Sequence, residues 1–407
     1  MVELYHKIRE SKLPVLLFYV GLSIELIMVI IDKSNFVNPI EGYLFRITFL
    51  IFALKMVLTG YSLKEWGVIL FLEMIGFISY RATGENDIIR IVTFVAACKN
   101  IPLKQMIRYV FYVTLVGCIA IVFLAVTGIY GDMSLTLDYG RGYEQTRFTL
   151  GMGHPNALSC MFLMVLAIGI YAYSERIKWY WYLFMMLLNV CVFWLTDSKT
   201  SMLITTLLLA GCFFMTYSKF LREKWLAYAC GLLVFVACIL FCVDAAANAQ
   251  NVREAKWNES YYGEARFDSH VVGLLRIDEQ INGRIVSLTN SENNDGTMET
   301  WSAFSCPNNM TYYFDMGWVK LFYRYGVIPG ILYCVACLAL LWQIYRRKDA
   351  FGLVIFAVFA IYSVVEAHLF SVYVGRNILL MMMGSYLLTG QDAIPAAKKP
   401  STAVNPE

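Results

Sequence analysis

The chain has 407 residues, of which 59% are hydrophobic and only 15% are charged, and its formal net charge is +3. Because soluble domains carry about 25% charged residues, this composition excludes a soluble enzyme. The small net charge says little about partners, and nothing in the composition supports nucleic-acid binding.

Apolar runs long enough to cross a bilayer recur from Pro14 almost to the C-terminus. A helix needs about 20 apolar residues for one crossing. The first run continues too far for a signal peptide and lacks a small-residue cleavage site, so we interpret it as a retained span. We predict about twelve spans, with cores at 13–31, 42–59, 65–80, 87–98, 107–128, 153–173, 179–196, 200–217, 225–243, 322–342, 350–369 and 373–390. The fourth is short and carries Arg90, and without it the orientation of every later segment would invert.

The distribution of Lys and Arg between these spans indicates the orientation of the chain. With the N-terminus inside, the cytoplasmic segments contain 17 of these residues and the short outer segments contain six. This asymmetry follows the positive-inside rule and predicts that both termini are cytoplasmic. The sequence therefore predicts an all-α integral membrane protein, with 1–407 as a single polytopic domain. Its large extracytoplasmic loop, 244–315, precedes the third-last span.

Every connection on the predicted cytoplasmic side is short. None of them could form the βα unit that binds the phosphates of a nucleotide-linked substrate. Any chemistry must therefore face outward or lie within the membrane. We find no inverted repeat of the kind that many transporters carry.

Eleven cysteines are spread along the chain, and most fall inside apolar runs. Cys334 and Cys337 have the CxxC spacing, but no second pair or nearby histidine accompanies them. Buried thiols behave as small apolar groups in helix packing. We therefore predict neither a disulfide framework nor a metal site, and no cofactor.

Polar residues that are costly to bury cluster on the predicted outer face. The start of the sixth span reads RFTLGMGHPNALS, at 147–159, and places Arg147, His154 and Asn156 at the membrane boundary. Pro155 suits the first turn of a helix. We consider the three polar residues candidates for substrate contact. The alternative is a plain helix start with interfacial polar residues.

The large loop and the start of the tenth span supply further candidates. Arg284 lies in INGRIVSL, before a short apolar stretch, and TYYFDMGWVKLFYRYGVIPG brings Asp315, Tyr323 and Arg324 towards the membrane. A carboxylate and several cations are thereby placed at one boundary, where a charged substrate could bind.

Earlier loop residues allow two interpretations. Arg266 is either a substrate-binding cation or a solvated arginine paired with a neighbouring acid. His270, beside Asp268, is either a base or a surface histidine. The loop's aromatic residues could stack on sugars or form a local core or interfacial belt. They are Trp257, Tyr261, Tyr262, Trp301, Phe304, Tyr312 and Tyr313.

The segment VVEAHLFSVYVGRNILL holds Glu366, His368, Arg376 and Asn377 across a break between the last two apolar runs. Ionisable groups at membrane depth are functional candidates, because their burial is expensive. Charged residues near other span ends could instead snorkel or form ion pairs. They are Glu25, Arg46, Lys55, Glu73 and Arg90.

Four blocks together resemble the O-antigen polymerase and ligase superfamily. They are the GxGHPN block after Arg147, the TDSKTSMLI segment at 196–204, the GR pair in the large loop, and the D-x-G-W-x-K-x-x-Y-x-Y-G-V-I motif from Asp315. The nearest branch looks like the capsular and exopolysaccharide repeat-unit polymerases. Similar segments often read S-R-T where this chain has Ser198, Lys199 and Thr200.

The resemblance implies a GT-C-like fold in a bacterial cytoplasmic membrane. It implies a metal-independent, inverting glycosyltransferase that joins undecaprenyl-diphosphate-linked repeat units on the outer face. Arg147 and Arg284 would then clamp the diphosphate, with Arg266 and Arg376 next in order. Asp315 would be the general base, at a place similar to that of a histidine in the ligase branch.

The remaining roles follow from the same resemblance. His154 would orient substrate or help to bind diphosphate, and the lipid-linked oligosaccharide would be both donor and acceptor. Membrane lipid, a flippase and a chain-length regulator of the same pathway are the expected partners. Two alternatives stay open: a ligase that transfers finished glycan, and a transporter of lipid-linked oligosaccharide.

Overall fold

The structure is a computed structural model that describes residues 9–138, 143–218, 222, 224–289, 296–304, 314–367 and 373–388. It is 76% helical. The helices, numbered α1 to α14, are Leu13–Asp32, Glu41–Val57, Leu63–Thr83, Asp87–Ala97, Leu103–Val126, Pro155–Tyr173, Trp179–Thr196, Lys199–Tyr217, Trp225–Tyr262, Ser269–Gln280, Gly317–Tyr325, Val327–Arg347, Ala350–Val365 and Ile378–Leu387. Strands β1 (Ser134–Asp138) and β2 (Glu144–Phe148) form an antiparallel hairpin.

Eight helices of the described chain are long and apolar enough to cross a membrane: α1, α3, α5, α6, α7, α8, α9 and α12. Apolar side chains on α3, α5 and α7 remain exposed, which suits helices that face lipid rather than water. The chain is therefore a multi-pass membrane protein. The helices α13 and α14 are apolar but shorter, at 16 and 10 residues.

Contacts between helix termini define two ends of the bundle. At one end, the Tyr373 hydroxyl lies within hydrogen-bond distance of carboxylate oxygens of Asp32, at 2.9 Å, and Glu41, at 2.7 Å. At the opposite end, the Lys99 ammonium lies 2.5 Å from a carboxylate oxygen of Glu65. We call the end that contains Asp32 and Glu41 the site end.

The short helix α4 takes the chain from one end to the other. Its 11 residues extend for about 16 Å at 1.5 Å per residue. Asp87, at its start, accepts a hydrogen bond from the Tyr325 hydroxyl at 2.9 Å at the site end. Beyond its last turn, the Lys99 carbonyl accepts from Lys55 at 2.5 Å at the opposite end. The chain therefore changes ends across α4.

The helix α13 occupies the centre of the bundle. It has no charged residue and is buried on nearly every side, against α6, α8, α9, α11 and α12. A helix that is apolar all round is expected to be buried in this way. It ends at Val365, so Glu366 emerges from the middle of the bundle at the site end.

The end of α9 differs from the end of the predicted ninth span. The helix α9 continues 19 residues beyond Val243, because the following Asn, Gln, Glu and Lys residues are polar but compatible with a helix. The loop predicted from residue 244 therefore begins as a helix, and α10 packs against it. The hairpin β1–β2 lies between the predicted fifth and sixth spans, 107–128 and 153–173.

The predicted tenth span is interrupted at Gly326, where α11 ends and α12 begins. Gly326 has φ +96°, and a Cβ there would lie 2.3 Å from the carbonyl carbon of Phe304. The backbone carbonyls of Ser302 and Ala303 accept hydrogen bonds from the first two amides of α12, both at 2.9 Å. The loop thus docks on the helix start and prevents one continuous helix.

Candidate functional site

Arg284 is the centre of an ion-pair cluster at the site end. Its Nη1 pairs with the carboxylate of Asp315, which precedes α11. Its Nη2 lies 3.2 Å from Oε1 of Glu366, which follows α13. Three separate segments therefore converge on one guanidinium, and all three residues belong to the set that the sequence predicted.

Glu366 is the more deeply buried of the two carboxylates, with 10% of its side chain exposed against 18% for Asp315. Arg284 and Lys33 lie within electrostatic range of Glu366. The geometry thus offers two candidate bases held by one arginine.

Asp278 positions the turn that carries Arg284. It is fully buried, and its Oδ1 accepts hydrogen bonds from the backbone amides of Ile285 at 2.6 Å and Val286 at 3.2 Å. Gly283, with φ +73°, closes the turn. Burial raises the pKa of Asp278, and the two amide hydrogen bonds lower it. We did not predict this role of Asp278 from the sequence, although the Asn-Gly pair before Arg284 is typical of such a turn.

Arg147 joins two of the blocks that carry the family resemblance. It lies on β2, is 6% exposed, and bonds to Oε1 of Gln145 through Nε at 3.2 Å and Nη2 at 2.9 Å. Its Nη2 also lies 3.6 Å from a carboxylate oxygen of Asp197, to which the Gln145 amide donates at 3.0 Å. Asp197 belongs to the TDSKTS segment between α7 and α8.

His154 immediately precedes α6. It caps α6, because its Nδ1 accepts a hydrogen bond from the Asn156 amide at 3.2 Å. Partial burial lowers the pKa of His154, and the charges of Arg147 and then Arg284 lower it further. A neutral imidazole that accepts at Nδ1 carries its proton on Nε2. His154 is thus a hydrogen-bond donor within electrostatic range of both arginines.

Arg376 is a buried cation in the 3-10 turn Val374–Arg376. It is 8% exposed, and its Nε and Nη1 have no hydrogen-bond partner among the described residues. Arg376, Lys33 and Glu366 all lie within electrostatic range of the Cys160 thiol. Burial lowers the pKa of Lys320 to about 8, and the charges of Arg324 and Arg376 add to this effect. Cations thus gather beside the Arg284 cluster.

The other predicted binding residues have contacts within the fold. Arg324 pairs with Glu85 at 2.8 Å, and the ring of Tyr323 packs 5.5 Å from that of Phe314. These contacts tie α11 to the start of α4 and to the loop. They position the site, and a substrate role for Tyr323 and Arg324 stays a prediction.

Arg266 and His270 lie on the hairpin formed by α9 and α10. Arg266 stacks over the ring of Tyr262 at 3.9 Å. Nε2 of His270 lies 3.1 Å from Asp244, and 58% of its side chain is exposed. His270 is thus a surface histidine in this structure, although its partner is Asp244 rather than the neighbouring Asp268, which caps α10.

Several charged residues within the helices have partners inside the bundle. Glu25 and Arg90 form a buried ion pair at 3.0 Å, and Thr48 donates to the same Glu25 oxygen at 2.6 Å. Glu73 accepts from Thr93 at 2.7 Å. Internal pairing therefore accounts for them. His368, Tyr312 and Tyr313 lie outside the described residues.

The aromatic candidates divide into two groups. Trp301 stacks on Phe322 at 5.2 Å and belongs to the packing of α11. By contrast, Trp257, Tyr261 and Tyr262 are exposed on α9, with Trp257 stacked on Tyr261 at 5.3 Å. Within the described ranges, no group of three His, Cys, Asp or Glu side chains could hold a metal ion.

Comparison of the chain with family models, with curated proteins and with solved structures found no match.

Proposed function

We propose that the protein is a polysaccharide polymerase that joins oligosaccharide repeat units carried on undecaprenyl diphosphate. The observation that carries the proposal is buried Arg376, whose Nε and Nη1 lack partners among the described residues, beside a carboxylate cluster held by Arg284. Buried guanidinium N–H groups are costly to leave without an acceptor, so an anion that accepts hydrogen bonds from Nε and Nη1 would stabilise the site. The resemblance of the four sequence blocks supports a diphosphate as that anion.

The contacts suggest a division of roles between the arginines. Arg284 is already balanced by Asp315 and Glu366, and Arg147 by Asp197. Arg284 would therefore orient the base, while Arg376 would hold the diphosphate. This differs from the clamp expected from sequence, in which Arg147 and Arg284 came first.

In the proposed reaction, the bond between the anomeric carbon of the growing chain and its diphosphate breaks. The hydroxyl of a new lipid-linked repeat forms the new glycosidic bond from the opposite face. Its proton passes to Asp315 or Glu366, and the negative charge on the leaving diphosphate is stabilised by guanidinium groups. No metal is required in this scheme.

We also propose that the protein crosses a bacterial cytoplasmic membrane twelve times and has a GT-C-like architecture. The site end would be extracytoplasmic and both termini cytoplasmic, as the charge asymmetry predicts. The donor and acceptor would be lipid-linked oligosaccharides, with a flippase and a chain-length regulator in the same pathway.

A deletion strain tests the proposal against its alternatives. Collapse of a glycan ladder to single lipid-linked repeats is expected for a polymerase. Full-length polymer stranded on lipid would instead indicate a ligase, and repeats accumulated on the inner leaflet would indicate a transporter. Purified protein should extend lipid-linked repeats in excess chelator, and inhibition that magnesium restores would contradict the metal-independent scheme.

A further inference from the structure

Tyr373 connects Arg376 to the first two helices of the bundle. Its hydroxyl lies 2.9 Å from a carboxylate oxygen of Asp32, the last residue of α1, and 2.7 Å from one of Glu41, the first residue of α2. Only 7% of Tyr373 is exposed. The phenol has one proton, and either carboxylate can accept it. One side chain thus anchors the segment before α14 to both α1 and α2.

Tyr373 also contacts Arg376 directly. The Arg376 amide donates a hydrogen bond to the Tyr373 carbonyl at 3.3 Å and closes the 3-10 turn. The guanidinium carbon of Arg376 lies over the Tyr373 ring, 5.5 Å from its centroid, which is within the range of a cation–π contact. The ring of Phe45, on α2, lies 5.4 Å from that of Tyr373. The backbone and the side chain of Arg376 therefore both depend on where Tyr373 lies.

The middle of the same turn packs closely against α1. A Cβ added to Gly375 would lie 3.0 Å from the Cβ of Glu25. Glu25 is 1% exposed and pairs with Arg90, on α4. Because protein interiors are close-packed, this approach leaves little room for the turn to move towards α1. The turn is therefore held at two points, by the Tyr373 hydroxyl and by the contact at Gly375.

We propose that Tyr373 is a positioning residue, which holds the Arg376 guanidinium where it receives the diphosphate of the donor. This rests on the proposed function, because the role of Arg376 is taken from there. A guanidinium binds two phosphate oxygens only in a defined orientation, since its N–H groups form a rigid fork. The ring and carbonyl of Tyr373 set that orientation, and Asp32 and Glu41 set the position of Tyr373. The site thereby extends to α1 and α2, neither of which contributes a residue to the ion-pair cluster of Arg284.

Tyr373→Phe tests the hydroxyl alone. The variant keeps the aromatic ring beside Arg376 and loses the hydroxyl contacts with both carboxylates. A change in Asp32 or Glu41 would leave the other carboxylate in place, so the tyrosine variant is the sharper test. Glu41→Ala weakens the same anchor at a half-buried residue. It should shift each measurement in the same direction, which keeps the proposal testable if Tyr373→Phe misfolds.

Tyr182→Phe is the matched control. Tyr182 is 5% exposed, and its hydroxyl lies 2.8 Å from that of Thr216, on α8. It belongs to the first turn of α7, whereas Asp197, which pairs with Arg147, follows the last turn of that 18-residue helix. The control therefore loses a buried, hydrogen-bonded hydroxyl of the same kind at the other end of the bundle.

Reaction of Arg376 with phenylglyoxal measures its positioning without any donor. The proteins are treated in phosphatidylcholine nanodiscs, and modified arginines are mapped by mass spectrometry of peptides. Arg376 is 8% exposed, so it should react slowly in the unaltered protein and in Tyr182→Phe. In Tyr373→Phe it should react about tenfold faster, because the turn has lost a hydrogen bond to a charged acceptor. Equal rates in the three proteins would overturn the proposal.

Donor binding connects this positioning to function. Tyr373→Phe should raise the Kd of labelled polyprenyl diphosphate and the KM for lipid-linked donor by about tenfold, with kcat nearly unchanged. Partial misfolding would instead lower kcat at unchanged KM. Adding Tyr373→Phe to Arg376→Lys should weaken binding little further, because the tyrosine acts through the arginine. An unchanged Kd in Tyr373→Phe, or the same increase in Tyr182→Phe, would overturn the proposal.

Extension of lipid-linked repeats in the same nanodiscs separates this role of Tyr373 from the polymerase activity. Absence of extension, with the expected differences in Arg376 reactivity and in Kd, would contradict the polymerase and leave the role of Tyr373 standing. Extension by the unaltered protein, with equal Kd in Tyr373→Phe, would do the reverse. No binding of polyprenyl diphosphate by the unaltered protein would overturn both.

Discussion

Asp278 and Arg284 are joined by a tight turn in which Oδ1 of Asp278 accepts the amide of Ile285 at 2.6 Å. This bond fixes the backbone directly after Arg284, while the Arg284 side chain reaches Asp315 and Glu366. The position of the ion-pair cluster therefore depends on a buried carboxylate that is not itself one of its three members.

Asp278→Ala is expected to reduce activity by disordering this turn. It removes two hydrogen bonds to a charged acceptor, each worth about 1.5–3 kcal/mol. Glu279→Ala is the matched control, because Glu279 is half-exposed and pairs only with Arg276 among the described residues. The measurement is polymer extension together with thermal stability. If Asp278 acts through Arg284, adding Asp278→Ala to Arg284→Ala should cause little further loss of activity.

Substitution by isosteric amides can distinguish the roles of the two carboxylates that pair with Arg284. Asp315→Asn and Glu366→Gln keep the shape of each side chain and remove its basicity. Loss of the general base commonly costs about 10²- to 10⁴-fold in rate, while donor binding should persist. We expect one variant to show this loss in the length distribution of polymer at matched expression. Near-normal ladders from both variants would remove the pair as the base.

The depressed pKa of His154 predicts a pH-dependent contribution to stability. Because the folded state binds this proton less readily than the unfolded chain, stability should fall as the pH drops from about 6.5 towards the lowered pKa. The effect should be small, since the side chain is accessible to solvent. Asparagine in the His154→Asn variant can still cap α6, and this variant should lose the pH dependence of stability that His154 causes. Thermal unfolding of both proteins between pH 7 and pH 5 measures it, and parallel curves would contradict the assignment.

Orientation in the membrane is tested by single cysteines. Glu264→Cys, on the exposed tip between α9 and α10, should react with an impermeant reagent in intact cells. Lys348→Cys, after α12, should react only once the cells are permeabilised. The unaltered protein gives the background from native cysteines. The reversed pattern would place the site end in the cytoplasm.

The sequence predicted the helices well because apolar runs determine them, and most of the predicted cores lie within a few residues of the observed helices. It also selected Glu366 as an ionisable group at membrane depth, and Arg284 and Asp315 as charged residues in the large loop and at the start of the tenth span. Their convergence could not be predicted, because it depends on how the turn at Asp278, the break at Gly326 and the end of α13 meet in space. The hydropathy pattern likewise predicts that a span ends at Val243, but the helix α9 continues beyond that residue.

The proposed roles of Arg376 and Arg284 predict different defects from the same Arg-to-Lys change. Lysine keeps the charge and loses the planar fork that binds two phosphate oxygens. Arg376→Lys should therefore weaken donor binding by about ten- to hundredfold, as expected for lost hydrogen bonds to a charged group. Arg284→Lys should slow extension with less effect on binding, because its partners are the two carboxylates. Arg276→Lys, an exposed arginine paired with Glu259 and Glu279, is the control and should behave as the unaltered protein. Binding of labelled polyprenyl diphosphate and the rate of extension, measured on the same preparations, distinguish the two effects. If Arg284→Lys loses donor binding and Arg376→Lys does not, the clamp belongs to Arg284, as the sequence first indicated.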